Sequence, residues 1–333
     1  MKVAIVGASG AVGQELLSIL AERNFPLDDL VLFGSSRSAG TKYNFRGKEY
    51  EVKLLQHNDD FKDVDIALTS AGGGTSLEFA ETITKYGAVM IDNSSAFRMD
   101  EDVPLVVPEV NAEDALNRPR NIIANPNCTT IVSLVAINAL NQDSPIESIV
   151  ASSYQATSGA GAGGPVELMN EVEALREGKT YEPKVFQYQI AYNVIPQIGG
   201  EAFAGYTSEE MKMQNEGRKI MHLPELKVSC TCVRVPVVRS HSVSIVVRTK
   251  EKISVERARE LIAAAPGCKL VDDLQNKQYP MPLDTSDQDI VFVGRIRDDL
   301  TSDNGLNIWC CGDQVRKGAA TNAVQIAQLL IEE

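Results

Sequence analysis

The stretch NPNCTT, residues 125–130, lies between two apolar runs, Ile122 to Ala124 and Ile131 to Val135. Its cysteine, Cys128, therefore falls where a strand hands over to a helix. At such a position the unpaired backbone N–H groups and the positive end of the helix dipole stabilise a negative sulfur. The same amides, with the side chain of Asn127, could receive an oxyanion. A single cysteine at such a turn is more often simply packed, and Asn127 is also consistent with simply closing the turn. Taken alone, these residues leave both readings open.

A second stretch suited to chemistry is GASGAVG, which follows the first apolar run directly. Gly7, Gly10 and Gly13, with Ser9, Ala11 and Val12 among them, let backbone N–H groups approach a pyrophosphate at a helix start. The context of strand before and helix after is what a dinucleotide turn requires. The second strand of such a unit ordinarily ends in an acid that grips the ribose 2′-hydroxyl. Here LVLFGSSRSAG offers Ser35, Ser36, Arg37 and Ser38 instead. A cation among hydroxyls suits a 2′-phosphate, so Arg37 and Ser38 favour NADP over NAD.

These groups need elements to position them. Apolar runs at 3–7, 30–34, 64–70, 88–94 and 121–124 alternate with helical patterns near 11–23 and 76–86, the βαβ rhythm of a parallel, doubly wound sheet. CTTIVSLVAINAL continues as a helix with Ile131, Leu134, Val135 and Ala139 on a buried stripe. From about 148 the texture changes to alternating strands at 148–155, 228–235, 242–249, 290–296 and 306–311, with helices near 165–177, 208–221 and 254–265. This predicts an α/β protein: a Rossmann-type domain, 1–127 completed by 315–333, and a central α+β domain, 128–314, with a mostly antiparallel sheet. The final amphipathic segment, GAATNAVQIAQLLIEE, is expected to return to the first domain.

Composition narrows the function. Thirty-two basic against 45 acidic side chains give a net charge of −13, which argues against nucleic acid and anionic membranes as partners. An anionic ligand must then be held by a few placed cations. The N-terminus shows no signal-peptide pattern and no apolar run reaches a membrane span, so a cytoplasmic setting is expected. The six cysteines contain no C-x-x-C pair, and His57, His222 and His241 show no ligand spacing, so free thiols and no metal are expected.

In addition to NPNCTT and GASGAVG, the chain carries DNSSAFR, VPLVVPEVN, YQATSGAG, EEMKM, CVRVPVVRSHS, FVGRIRDD and KGAATNAVQIA. In these pieces and their order it resembles the aspartate-semialdehyde dehydrogenases from end to end. The resemblance implies reversible, NADPH-dependent reductive dephosphorylation of L-aspartyl 4-phosphate to L-aspartate 4-semialdehyde, on the way to lysine, methionine and threonine. It puts the nucleophile on Cys128, the acid/base on His241 and a thiol-adjacent glutamine on Gln155. Thiolate attack on an acyl phosphate leaves a thioester, an acceptor for hydride. A histidine of ordinary pKa can move the protons, and Gln155 is left to orient the acyl group or donate to its oxygen.

The resemblance also assigns the substrate's charges. Arg98 and Lys212 match the phosphate-binding pair, Arg234 the α-carboxylate fork, and Glu209 the acid that meets the amino group, with Glu210 as the alternative. Ser158, Gly159 and Gln314 match further cofactor contacts, and the SAGGGTS segment at 70–76 would line the same crevice. Arg234 and His241, seven apart, would face opposite sides of one unbroken strand. Pro236 is expected to break it, with VVRS turning into a hairpin that brings both to one site. A sheet-to-sheet homodimer is expected, with a tetramer also compatible. The rivals are an N-acetylglutamyl-phosphate reductase and a non-catalytic dinucleotide sensor.

Overall fold

Val3, Ala4, Ile5 and Val6 are all buried, so the strand they form is covered on both faces, as the interior of a parallel sheet requires. In the computed structural model, which describes residues 1–331, this is β1 (Lys2–Val6). It belongs to the first of two units, Met1–Asn127 with the chain from Ala319 onward; the second is Cys128–Gly318.

The first unit adds β2 (Asp29–Gly34), β3 (Lys42–Phe45), β4 (Lys48–Leu54), β5 (Ile66–Thr69), β6 (Val89–Asp92) and β7 (Ile122–Ala124). Among the described residues these form one sheet of order β3-β4-β2-β1-β5-β6-β7, parallel except at the β3–β4 edge. The strand order reverses beside β1, which opens a crevice at the carboxyl ends of β1 and β5. The helices are α1 (Ala11–Glu22), α2 (Gly73–Thr84) and the short α3 (Pro108–Asn111). The last helix, Thr321–Leu329, sets Ala323, Val324 and Ala327 into the core with Ile5, Leu16, Leu20, Leu68 and Ile91. Glu332 and Glu333 of the expected segment lie outside the described residues. The edge hairpin β3–β4 was absent from the sequence reading.

The chain rejoins the first unit at Ala319 rather than at the expected 315. Residues 313–318 are tied to the second unit instead, where Asp313 accepts from Arg239 Nε (2.6 Å), Gln314 Oε1 from the Ser240 N–H (2.8 Å) and Asp289 from Arg316 Nε (2.8 Å), and the segment is closed on itself. Asp313 Oδ1 accepts from the N–H of Val315 (2.9 Å) and Arg316 (3.1 Å), and the Asp313 carbonyl from Gly318 (2.9 Å).

The second unit contains β8 (Ile146–Gln155), a small ribbon of β9 (Glu201–Phe203) and β10 (Tyr206–Thr207), then β11 (Lys227–Arg234), β12 (His241–Thr249), β13 (Cys268–Leu270), β14 (Val291–Asp298) and β15 (Gly305–Gly312). Its main sheet runs β11-β8-β12-β15-β14-β13. The pairs β8–β12, β12–β15 and β14–β15 are antiparallel, whereas β8–β11 and β13–β14 are parallel. The expected β11–β12 hairpin does not form. β8 lies between them, and residues 235–240 cross its end, where Val237 and Val238 accept from the N–H of Thr157 and Ser158.

The helices are α4 (Cys128–Asp143), α5 (Gly163–Arg176), α6 (Ser208–Ile220), α7 (Val255–Ala264) and α8 (Pro282–Thr285). α4 was expected to bury a stripe, but every residue from Thr129 to Leu140 is buried. It touches β12, β14 and β15 as well as α6 and α7, so no face meets water, which is how a helix apolar all round is accommodated.

Candidate active site

In the first unit, the crevice after β1 and β5 is a cleft of about 640 Å³ lined by Gly7, Ser9, Gly10, Ser35, Arg37, Ser38, Leu55, Ser70, Ala71, Thr75 and Phe79, among others. Gly7 has φ +86°, and a Cβ there would collide with the Ser70 carbonyl, so only glycine lets the two loops close this tightly. Ala11, Val12 and Gly13 form the first turn of α1 and do not line the cleft. The shape, the helix start and the Arg37–Ser38 cation and hydroxyl fit a phosphorylated nucleotide. Ser70, Ala71 and Thr75 come from the SAGGGTS segment expected to line this crevice, whereas Leu55 and Phe79, the latter on α2, were not foreseen.

Arg98 and Asn127 also belong to the first unit, and both are buried. Arg98 donates from Nε to the Asn125 carbonyl (3.0 Å) and from Nη2 to that of Asn93 (2.9 Å). The turn that carries it is built on Asp92, within DNSSAFR. Asp92 accepts from Ser76 Oγ (2.7 Å), Ser94 Oγ (2.5 Å) and the Ser94 N–H (3.2 Å). Burial pushes this carboxyl above its ordinary pKa, against the pull of those donors.

In the second unit one end of the sheet gathers the chemistry. Gln155 ends β8, Arg234 ends β11 directly opposite it, and His241 begins β12, which runs antiparallel to β8. The two parallel strands and the one antiparallel strand therefore deliver three side chains to the same edge. Cys128 is the first residue of α4 and is partly exposed. Arg234 is buried, donates to the Ala156 carbonyl at 2.7 Å and lies 5.7 Å from the Phe186 ring centre. Burial pulls its guanidinium below its usual pKa, while Cys128 and Glu209 oppose that pull. A negative charge on the sulfur is thus felt by Arg234. Gly318 abuts the thiol, since a Cβ there would lie 2.9 Å from that of Cys128.

Gln155 is anchored at its amide. Nε2 donates to Thr129 Oγ1, one residue past the cysteine, and to Glu209 Oε1 at 3.2 Å. Glu209 Oε2 accepts from Lys212 Nζ at 2.7 Å, an i,i+3 pair on α6. The neighbouring Glu210 is committed elsewhere: it closes the capping box with Thr207 and accepts the Cys232 N–H at 3.0 Å. Glu209 is therefore the acid in contact with this cluster.

His241 is fully buried. The Ala156 N–H donates to its Nδ1 at 3.1 Å, and Nε2 has no partner among the described residues. Burial, then the charge of Arg234, lower its pKa to about 3, with Glu209 opposing. Ser240 before it is held at φ +75°, a costly conformation for a non-glycine residue, by its N–H to Gln314 Oε1 (2.8 Å) and its Oγ to Thr285 (2.6 Å). Gln314 Nε2 donates in turn to Ser158 Oγ. Gly159 covers the histidine: a Cβ on it would lie 2.8 Å from Arg234 Nη1 and 3.2 Å from His241 Nε2. Ser158, Gly159 and Gln314 thus meet at the histidine, and Thr129 and Ala156 join residues that sequence reasoning had named.

A glycine-turn parallel-sheet unit continued by an antiparallel-rich unit with a cysteine at a helix start is the build of a semialdehyde dehydrogenase. Family models agree, with "Semialdehyde dehydrogenase, NAD binding domain" matching residues 2–118 and "Semialdehyde dehydrogenase, dimerisation domain" matching 137–317. Curated proteins named aspartate-semialdehyde dehydrogenase from Aquifex aeolicus and Synechocystis are 53% and 51% identical, each match covering 100% of this chain and 98% of the relative. The solved structure of Vibrio cholerae aspartate semialdehyde dehydrogenase II complexed with ASA is 45% identical, with a TM-score of 0.97, covering 100% of this chain and 98% of that one. The chain belongs to the aspartate-semialdehyde dehydrogenase family, as its motifs had suggested. Among the described residues no helix is long and apolar enough to cross a membrane.

Proposed function

We propose that the protein reduces L-aspartyl 4-phosphate to L-aspartate 4-semialdehyde and phosphate, reversibly, through a thioester on Cys128, in the cytoplasmic synthesis of lysine, methionine and threonine. The observation that carries this reading is the end-to-end identity with enzymes of that name, together with Cys128 at the start of α4 beside Arg234. The first unit holds NADP(H), with Arg37 and Ser38 toward the 2′-phosphate, and NADPH supplies the hydride when bound. The second unit holds the substrate.

The residue roles are those the family resemblance implies, and the charge of each residue suits its part. Arg234 pairs with the α-carboxylate as a planar fork, Glu209 with the amino group, and Arg98 and Lys212 with the phosphate. Gln155 orients the acyl group beside the sulfur, and His241 serves the oxygen at which charge develops. Ser158, Gly159 and Gln314 shape the cofactor end of the site, and Asn127 closes the turn before the nucleophile. The protein acts as a homodimer through the outer face of the second unit's sheet, where Val150 and Tyr154 are exposed on β8 and Tyr154 meets Trp309 of β15.

Phosphate-dependent reduction of NADP with aspartate semialdehyde, compared with the N-acetylglutamate semialdehyde, tests the reading. The acetylated substrate has no cation for Glu209, so the aspartyl substrate should be strongly preferred. Preference for the acetylated one would overturn the assignment.

A further inference from the structure

Between α5 and β9 the chain crosses residues 177–200 with no helix or strand of its own, a long irregular stretch for a compact unit. Two carboxylates one turn apart on α5 hold its backbone. Glu167 accepts the N–H groups of Lys184, Val185 and Phe186 at 2.7–2.9 Å, and Glu171 Oε2 accepts those of Ile190 (2.9 Å) and Ala191 (2.7 Å). Both acids are buried, and Leu168, Phe186, Ile190, Ala191 and Ile195 form a small core beside them. Burying a carboxylate is costly unless its donors are in place, so the segment has one placement rather than many.

That placement converges on Arg234. Ile195 and Arg234 exchange both backbone hydrogen bonds, at 2.8 and 3.0 Å, which pins the end of β11 along its outer edge. Phe186 lies against the side chain, with its ring centre 5.7 Å from the guanidinium carbon. Gly164, near the start of α5, leaves room for that ring, because a Cβ there would lie 3.3 Å from Phe186 Cζ and collide with the Thr157 carbonyl. The Arg234 guanidinium makes one hydrogen bond among the described residues, from Nη1 to the Ala156 carbonyl at 2.7 Å. Nε and Nη2, one edge of the fork, are left for a ligand. A guanidinium tied at a single nitrogen can still swing about that bond, and an aromatic ring over its face opposes the swing.

We propose that Phe186, set in place by Glu167, is a positioning residue for the carboxylate end of the substrate: its ring covers the Arg234 guanidinium and holds the Nε–Nη2 edge toward the ligand. This rests on Arg234 as the α-carboxylate fork and adds the device that aims it. Phe186→Leu and Phe186→Met keep the small core filled with an apolar side chain of similar size while removing the ring, so both variants should fold. In each, KM for aspartate semialdehyde should rise about tenfold, the scale of a desolvated cation–π contact, with KM for phosphate and for NADP within about twofold of the parent. Leu168→Ala loosens the same core and leaves the ring, and its KM for the semialdehyde should not change.

A second readout needs no turnover. Phenylglyoxal labels exposed guanidinium groups, and the rate of labelling at Arg234, followed by peptide mass spectrometry in the free protein, should rise severalfold in both Phe186 variants and not in Leu168→Ala. Unchanged KM and unchanged labelling in the Phe186 variants would overturn the proposal, as would the same increases in Leu168→Ala, which would make the effect general loosening. A parent protein that does not use aspartate semialdehyde would remove the proposed substrate, and the labelling would still decide whether the ring covers Arg234.

Discussion

Gln155 and Glu209 are joined by a 3.2 Å hydrogen bond across 54 residues of sequence, linking the end of a strand to the first turn of α6. Through it the acid beside Lys212 and the amide beside Thr129 become one unit. Replacing Glu209 with glutamine removes the charge partner of Lys212 and, on the proposed reading, that of the substrate's amino group. A charge-assisted hydrogen bond contributes about 1.5–3 kcal/mol, so kcat/KM for aspartate semialdehyde should fall by roughly ten- to a hundredfold. Steady-state kinetics read it; KM for NADP should stay within about twofold of the parent.

Arg37 lines the cleft of the first unit together with Ser38. Arg37→Ala should raise KM for NADPH by about ten- to a hundredfold, the loss expected of a charge-assisted phosphate contact, and leave KM for NADH unchanged. Equal effects on both cofactors would remove Arg37 as a phosphate reader.

Glu167 of α5 accepts three backbone N–H groups, from Lys184, Val185 and Phe186, at 2.7–2.9 Å. Its replacement by alanine orphans these donors and should cost about 2–4 kcal/mol of stability, read by denaturant unfolding. Burial raises the pKa of this carboxyl, but the three amides outweigh burial and hold it below its usual value. The contribution is therefore fully present above the unfolded carboxyl's pKa of about 4.3 and is lost as pH falls through the lower folded value. The Glu167→Ala deficit should therefore shrink in acid, leaving the part that comes from the orphaned N–H groups; a deficit that does not change with pH would mean the ionised form contributes nothing.

Val150 and Tyr154 lie on the outer face of the main sheet of the second unit. A charge at Val150, as in Val150→Arg, should shift sedimentation from dimer toward monomer if this face joins two copies, because an unpaired cation cannot be buried cheaply. An unchanged dimer would place the interface elsewhere.

Much of this was legible in the sequence because its cause is local. The glycine turn, the apolar runs of the parallel sheet and the helix after NPNCTT each announce themselves within a dozen residues. What failed depended on partners far along the chain. The order β11-β8-β12 cannot be read from CVRVPVVRSHS, since the strand that separates Arg234 from His241 lies some eighty residues earlier. The stripe expected on α4, Ile131, Leu134, Val135 and Ala139, is buried, but the burial of the helix's remaining faces could not be read locally because they are covered by α6, α7 and the sheet, all distant in sequence. The β3–β4 hairpin did carry a local signal: KYNF and KEYEV alternate around Arg46 and Gly47, whose φ of +50° and +82° match a two-residue turn. The distinction between Glu209 and Glu210 required the capping box, which commits Glu210 to Thr207 and thereby frees Glu209 for the cluster.

Cys128 is the claim on which the rest depends. Cys128→Ser should lower turnover at least about a thousandfold, as loss of a nucleophile does, and leave NADP binding intact. The more direct measurement is mass spectrometry of the protein mixed with L-aspartyl 4-phosphate in the absence of NADPH. The account predicts an aspartyl adduct on the peptide that contains Cys128, labile to hydroxylamine and absent from Cys128→Ser. Turnover by a protein whose Cys128 never carries the acyl group would contradict it.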